Sequence, residues 1–290
     1  MIDNSNKKII WLASYPKSGN TWVRIFLHAL HKGSDDIDDL ESIEATNGIA
    51  SARGMMDEQL GIDSSELPDY DIQKLRPLIY KQLAKESDKD LIIKTHDAAF
   101  HGGIMTFPKD ATKKVILIVR NPFDMVASYA NHMSCSIEHA VLSLCNGKST
   151  LAKSKRKFGS QIQQYMGSWS DFYNSWKNTY REEVVVIKYE DLKQNGFQTF
   201  KKIVSAIGWE KTDEQIQKAI DAVDFNKLKK METEKGFKER PDKTESFFRS
   251  GQLGGWKNEI SKEQANYLLD RHFYTLLELK YIDNEGNILI

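Results

Sequence analysis

The sequence predicts a three-layer α/β fold, a central parallel sheet flanked by helices. Three observations carry this: short unbroken apolar runs, helical spacing between them, and a capping signature at the start of the last helix. The runs are Ile9–Ala13, Leu91–Ile93, Val115–Val119 and Val184–Ile187. They are β-branched and do not alternate apolar with polar, so each suits a parallel strand buried on both faces. The segment Asn20–Leu30 places Trp22, Val23, Phe26, Leu27 and Leu30 on one helical face. Phe123–His132, Tyr165–Tyr180 and Asp191–Ile207 read the same way. At Ser261 the order Ser-Lys-Glu-Gln makes a capping box, and its helix runs to about Lys280. Strands alternating with helices imply helices layered on a sheet.

Residues 1–290 read as a single domain, because candidate anion-binding motifs fall near both ends and one domain must bring them together. No internal repeat is present. Asp35–Ser65, acidic and rich in Gly, Ser and Met, reads as irregular. So does the polar stretch Met133–Ser160, with its Lys153–Lys157 charge run. Long connections of this kind are disordered or act as lids, and the charge run itself suits a solvated face. Lys+Arg and Asp+Glu both number 41, a net charge of zero. Without a global basic field, nucleic acid is not an implied partner, and anion binding must come from local placement of charge. Two cysteines, Cys135 and Cys145, make no disulfide scaffold and suit a reduced cytoplasmic setting. No apolar run approaches the ~20 residues of a membrane span, and polar Met1–Lys8 is followed by no hydrophobic leader segment. The expected location is the cytoplasm, with no membrane partner.

The loop after the first run reads Ser14-Tyr15-Pro16-Lys17-Ser18-Gly19-Asn20-Thr21-Trp22. A helix N-terminus is an anion site, since its first N–H groups lack partners and the helix dipole is positive there. Lys17 adds a point charge, Ser18 and Thr21 add donors, and Gly19 and Asn20 present backbone N–H groups. The Walker pattern needs glycine, four residues, then Gly-Lys-Ser/Thr. Here Pro16 precedes Lys17 and Gly19 follows it, which disfavours an ordinary ATPase or GTPase.

A second motif, Val119-Arg120-Asn121-Pro122-Phe123-Asp124, follows a buried strand, with Ser128 about one turn beyond Asp124. Arg120 stands at the strand's C-terminal end, where open α/β sheets bind ligands. Pro122 is pre-set for a helix start and Asp124 suits the first turn. A third motif runs Phe248-Arg249-Ser250-Gly251-Gln252-Leu253-Gly254-Gly255-Trp256-Lys257-Asn258. Its glycines let backbone N–H groups approach an anion closely.

The first motif resembles the 5′-phosphosulfate loop of sulfotransferases that use 3′-phosphoadenosine-5′-phosphosulfate (PAPS). The second resembles their 3′-phosphate motif, and the third their C-terminal Arg-Lys-Gly…Gly-Asp-Trp-Lys loop. All three occur in the family's order over nearly the whole chain, which is identified as a member of the PAPS-dependent sulfotransferases. Lys94-Thr95-His96, Gly167-Ser168-Trp169 and Lys188-Tyr189-Glu190-Asp191-Leu192 look most like bacterial enzymes that decorate secondary metabolites. The resemblance implies a P-loop-like sulfotransferase fold, PAPS as donor, adenosine 3′,5′-bisphosphate (PAP) as product, and no metal. It implies that Lys17, Ser18, Gly19, Asn20 and Thr21 cradle the 5′-phosphosulfate. Arg120 and Ser128 would bind the 3′-phosphate, and Arg249, Ser250 and Gly251 would close over it. Trp22 and Tyr189 would contact adenine, with Phe225 packing on the ring. Ser250 stands where lysine is common, Gly255 where aspartate is, and Val223 where a hydroxyl residue often meets the base. One cationic contact is thereby lost or supplied by another lysine.

Sulfuryl transfer resembles phosphoryl transfer: in-line attack through a loose transition state, with charge growing on the leaving oxygen. It needs positioning, a base for the acceptor proton, and cations at the leaving phosphate. Lys17 suits the leaving-group cation. His96 suits the base, having a near-neutral pKa and ending a strand in a Lys-Thr-His context that matches the family. Lys94 suits charge stabilisation on the transferring group. Asp97 either orients His96 or competes with it as base.

A P-loop nucleotide kinase is the alternative enzyme, and it lacks the glycine before Lys17. An inactive nucleotide-binding regulator is the non-catalytic alternative, and it would not need Lys17 and His96. A neutral chain suits a small-molecule acceptor better than a sulfated polysaccharide. The acidic residues of Asp35–Glu44 suit a cationic acceptor such as a guanidinium alkaloid. The stretch Lys257, Ser261-Lys262, Asn266 departs from the C-terminal dimer motif of animal sulfotransferases, so self-association through it is not expected.

Overall fold

A computed structural model describes residues 7–33, 37, 40, 45–153, 159–240, 244, 246–249 and 251–289. Most of Asp35–Glu44, most of the lysine run, and Ser250 lie outside the described residues. In chain order the elements are β1 (Ile9–Ser14), α1 (Asn20–Lys32), α2 (Arg53–Leu60), α3 (Asp69–Glu86), β2 (Leu91–Thr95), β3 (Phe100–His101), β4 (Ile104–Met105) and β5 (Thr112–Val119). There follow α4 (Pro122–Met133), α5 (Ile137–Cys145), β6 (Thr150–Leu151), β7 (Gln164–Tyr165), α6 (Trp169–Thr179) and β8 (Val184–Lys188). The chain closes with α7 (Tyr189–Gln194), α8 (Gly196–Ala206), α9 (Asp213–Ala222), α10 (Phe225–Lys235) and α11 (Lys262–Glu278). They form two compact units: Met1–Tyr15, Thr46–Leu117 and Gly147–Val186 in the first, and Pro16–Ala45, Ile118–Asn146 and Ile187–Ile290 in the second.

The first unit carries the sheet, ordered β2-β1-β5-β8. All four predicted runs are its strands. β1 pairs parallel with β2 from Ile9↔Leu91 to Ala13↔Thr95, and every residue of β1 is buried. Trp11 anchors this layer. Its indole N–H donates to Thr112 Oγ1 at 2.9 Å, and its ring meets Tyr80 of α3 and Phe107 edge-on at 5.1 and 4.6 Å. Phe107 in turn packs on Trp176 of α6 at 4.8 Å. Aromatic pairs of this kind add ~0.5–1.5 kcal/mol beyond area burial. They fix β1, the parallel partner of the strand that ends at Thr95.

Two expectations for this unit are corrected. The stretch Asp35–Ser65 is not wholly irregular. Its part Asn47–Ala50 runs along β2, with Lys94 N–H donating to Gly48 O at 3.0 Å and Ala50 N–H to Lys94 O at 2.8 Å. α2 follows and ends at Gly61, whose φ is +68°. The helix expected from Tyr165 starts instead at Trp169. Gln164–Tyr165 pairs antiparallel with Thr150–Leu151, and Ser168 with Asp171 forms a capping box. Gly167 permits that start, because a Cβ there would come within 2.9 Å of Asp171 Cβ.

In the second unit, α1 begins after Gly19 (φ +102°) and ends at Gly33 (φ +66°). α4 begins at Pro122, with the Asn121 side chain accepting from Phe123 N–H at 3.0 Å. Glu190 braces this corner, accepting from Asn121 N–H at 2.9 Å and Tyr281 O–H at 2.7 Å. Burial holds its carboxyl above the usual carboxylate range. Two further corrections fall here. Met133–Ser160 contains α5, capped by Ser136 onto His139 N–H at 3.1 Å. The helix expected over Asp191–Ile207 is broken at Asn195, which ends α7 and starts α8 before Gly196, a residue that punctuates helices. α11 opens with the expected Ser261–Gln264 capping box.

Candidate active site

The second unit gathers most residues singled out for the donor. Lys17 adopts φ +70°, in the left-handed region that disfavours a side chain by roughly 1–2 kcal/mol. Its Nζ lies 3.5 Å from the centroid of Phe247, and its carbonyl accepts from Arg120 Nη1 at 3.3 Å. Ser18 is buried, with its hydroxyl on Met125 Sδ at 3.5 Å. Tyr189 lies beneath this loop. A Cβ at Gly19 would come within 2.7 Å of its ring, and the Arg120 guanidinium sits 4.5 Å from the ring centroid. Trp22 meets Tyr189 edge-on at 6.0 Å and donates its indole N–H to Val223 O at 2.9 Å. Val223 thus meets Trp22 through its backbone carbonyl. Phe225 lies against Gly251, whose φ of +61° and 2.7 Å Cβ-to-ring approach leave room for glycine alone. Lys193 lies 5.7 Å from the Trp22 ring and 5.1 Å from that of Phe225, and burial lowers its pKa.

Arg120 and Arg249 line one cavity of about 150 Å³ with Asp124, Gln252, Gly255, Asn258 and Glu259. The Arg249 Nε is buried there without a hydrogen-bond partner. Asp124 holds the glycine-rich loop in place, accepting from Gly254 N–H at 2.7 Å and Trp256 N–H at 3.0 Å. Two guanidinium groups beside a loop rich in glycine suit a phosphate. Ser128 is half-buried on α4 and is not among the lining residues.

Two carboxylates engage the cationic side of this unit. Glu239 accepts from the Thr21 hydroxyl at 3.0 Å and pairs with Arg24, so an acid meets the first turn of α1. Glu259 pairs with Arg249 at 2.5 Å. Asn20 is buried at the start of the same helix.

The first unit holds His96 and Lys94, both half-buried. His96 Nδ1 lies 2.7 Å from the backbone oxygen of Ser14 and 3.4 Å from its hydroxyl. A carbonyl oxygen only accepts, so Nδ1 carries a hydrogen, and in the neutral ring Nε2 holds the lone pair. The Asp97 carboxylate gives this ring no direct hydrogen bond, and it is not poised as a competing base. It is 1% exposed, and its carboxylate takes a bidentate pair from Arg76 at 2.8 and 2.7 Å.

A family profile described as the sulfotransferase domain matches residues 7–278. The chain belongs to the sulfotransferase family. Flavonol 3-sulfotransferase of Flaveria bidentis is 24% identical to it over 269 residues, 88% of this chain and 77% of the relative. Cytosolic sulfotransferase 16 of Arabidopsis thaliana is 23% identical over 266 residues, 88% and 72% of the two chains. Among solved structures, a mouse sulfotransferase complexed with PAP superposes with a TM-score of 0.58 at 21% identity, covering 97% of this chain and 87% of its own. Retinol dehydratase complexed with retinol and PAP gives 0.61 at 16%, covering 93% and 81%. These structures share the α/β fold with a central parallel sheet flanked by helices.

Several contacts in this sulfotransferase have no local signature. Glu239 is 218 residues from Thr21, and Glu259 is an ordinary acid in sequence. Asp124, inside the second motif, and Glu190, inside Lys-Tyr-Glu-Asp-Leu, lay in stretches already singled out. Among the described residues, no helix is long and apolar enough to cross a membrane. Cys135 and Cys145 are free thiols, and burial pushes Cys145 up to about 11.

Proposed function

We propose that this sulfotransferase moves the sulfuryl group of PAPS to a hydroxyl or nitrogen of a small-molecule acceptor, a bacterial secondary metabolite. The carrying observation is the cavity that Arg120 and Arg249 line together, with the Arg249 Nε buried and unpartnered. Planar guanidinium groups match phosphate oxygens in pairs, so this donor set fits a 3′-phosphate that ATP lacks. On this reading Ser128, Ser250 and Gly251 also serve that phosphate. Lys17, Ser18, Gly19, Asn20 and Thr21 hold the 5′-phosphosulfate, and Trp22, Tyr189 and Phe225 meet the adenine.

In the transfer, the acceptor's oxygen or nitrogen forms a bond to sulfur as the bond from sulfur to the 5′-phosphate oxygen breaks. The acceptor's proton passes to His96 Nε2. Lys17 offsets the charge left on the phosphate, and Lys94 that on the transferring group. Lysine and backbone N–H groups suffice for the leaving phosphate, so the reading requires no metal. It treats residues 1–290 as one catalytic domain, a reading supported by a family profile that spans residues 7–278, and puts it in the cytoplasm, as the names of cytosolic relatives suggest. The acidic sequence of Asp35–Glu44 favours a cationic acceptor, a guanidinium alkaloid in particular.

Calorimetry with EDTA present tests the donor half. PAP is expected to bind and to raise the melting temperature, since a ligand that binds only the native state stabilises it. ATP, with or without magnesium, is expected to do so poorly. Equal binding of both nucleotides would sink the assignment. Sulfation across a metabolite panel that includes guanidinium alkaloids then tests the acceptor.

A further inference from the structure

Asp97 follows His96 directly, and every polar group of Asp97 is tied down. Its Oδ1 accepts from Arg76 Nη1 at 2.8 Å and from Tyr165 N–H at 3.1 Å. Its Oδ2 accepts from Arg76 Nη2 at 2.7 Å and from the Thr95 hydroxyl at 3.4 Å. Its N–H donates to Thr95 Oγ1 at 3.1 Å, and its carbonyl accepts the Trp176 indole at 2.9 Å. Arg76 is equally occupied. It is wholly buried on α3 and also donates to Tyr80 Oη and Gln73 Oε1, each at 3.0 Å. Tyr80 donates onward to Ala50 O at 2.7 Å. Burial alone would depress the Arg76 pKa, but the Asp97 carboxylate beside it holds the guanidinium charged, above its ordinary value.

A buried ion pair is an uneconomical way to gain stability, since packed apolar residues of like volume often serve as well. What it provides is direction. A bidentate guanidinium–carboxylate pair fixes both the place and the rotation of the carboxylate. Here that carboxylate is one peptide bond from the histidine whose Nδ1 meets the Ser14 carbonyl. Small displacements of a proton-accepting group lower rates by orders of magnitude.

We propose that Arg76 and Asp97 are positioning residues for His96, pinning the residue that follows it so that Nδ1 stays on Ser14 O and Nε2 remains the proton acceptor. The inference rests on the reading of His96 as the base. Neither residue touches the acceptor; both act through the backbone of the turn.

The test uses the full chain labelled with ¹⁵N-histidine, with the His96 signals assigned by their loss in His96→Ala. The variants are Asp97→Asn and the double change Arg76→Met with Asp97→Leu, which removes both charges together and keeps the site filled should the single variant fail to fold. The readouts are the His96 ring tautomer, the PAP dissociation constant, and kcat with PAPS and the best acceptor of the same metabolite panel. The expected result is a single Nδ1–H tautomer in the wild type and a mixture in the folded variants. In those variants kcat falls tenfold or more, and PAP affinity stays within about twofold. A folded variant with wild-type tautomer and kcat overturns the inference. The two readings fail differently. If His96→Ala keeps its turnover, the base assignment is wrong. If His96→Ala is inactive while Asp97→Asn behaves as wild type, only the positioning role is wrong.

Discussion

His96 Nδ1 lies 2.7 Å from the backbone oxygen of Ser14, the last residue of β1. Because a carbonyl has no hydrogen to give, this contact assigns the tautomer. The ring presents Nε2 as its basic nitrogen, and the strand beside it holds the other edge. One hydrogen bond to the main chain thus sets both the orientation and the chemistry of the imidazole.

His96→Ala is expected to abolish most sulfation and leave nucleotide binding intact. Loss of a general base lowers rates by about 10²–10⁴-fold. The residues proposed to hold the donor's phosphates belong to the second unit, whereas His96 belongs to the first. Turnover with PAPS and calorimetry with PAP, made on the same preparation, check the split. A variant that binds PAP weakly would assign His96 to the donor instead.

Arg249→Ala should weaken PAP binding more than it slows the bound complex. The interaction removed is a charged hydrogen bond to a non-reacting phosphate, about 1.5–3 kcal/mol, or roughly ten- to 150-fold in affinity. An unchanged dissociation constant would show that the loop carrying Arg249 and Gly251 serves something other than the nucleotide.

Glu239→Gln should act in the opposite direction. Glu239 holds Thr21 and Arg24 at the first turn of α1, where the 5′-phosphosulfate is proposed to sit. Removing its charge should tighten PAP binding by about 0.5–1 kcal/mol, two- to fivefold, since the pair is partly exposed. Weaker binding in the variant would mean that Glu239 organises the loop rather than competes for it.

Lys17→Gly and Lys17→Ala should both lose donor affinity, yet differ in stability. At φ +70° glycine relaxes a strained backbone and alanine does not. The glycine variant should therefore be the more stable by about 1 kcal/mol in denaturant titrations. Equal midpoints would show that the loop relaxes once the lysine side chain is gone.

The sheet was legible because its strands are unbroken β-branched runs such as Ile9–Ala13 and Val115–Val119, a pattern that burial on both faces imposes. α3 was not, since Pro77 interrupts it by removing a backbone donor, and packing of Tyr80 and Arg76 overrides that local penalty. α5 hid within a stretch read as polar, although Ile137, Ala140, Val141 and Leu144 keep helical spacing behind its Ser136 cap. The residues proposed for the donor could be named from the sequence for a related reason. Lys17 to Trp22, and Arg120 with its neighbours, are contiguous, and contiguous backbone makes its own anion site. Partners chosen by packing were not legible. Asp97 was read with His96 because the two are adjacent, but its carboxylate turns to Arg76, which only the fold brings near.

The carboxylates at Arg249 and Arg24 have a consequence for selectivity among the many anions of a cell. Each cation already has a counter-ion of its own, so an arriving ion exchanges places with an acid rather than with water. A singly charged or poorly shaped anion gains nothing by that exchange. A ligand that meets several of these groups at once, as PAP is proposed to do, is the kind that comes out ahead. The protein's own acids thus raise the threshold that an arriving anion must meet.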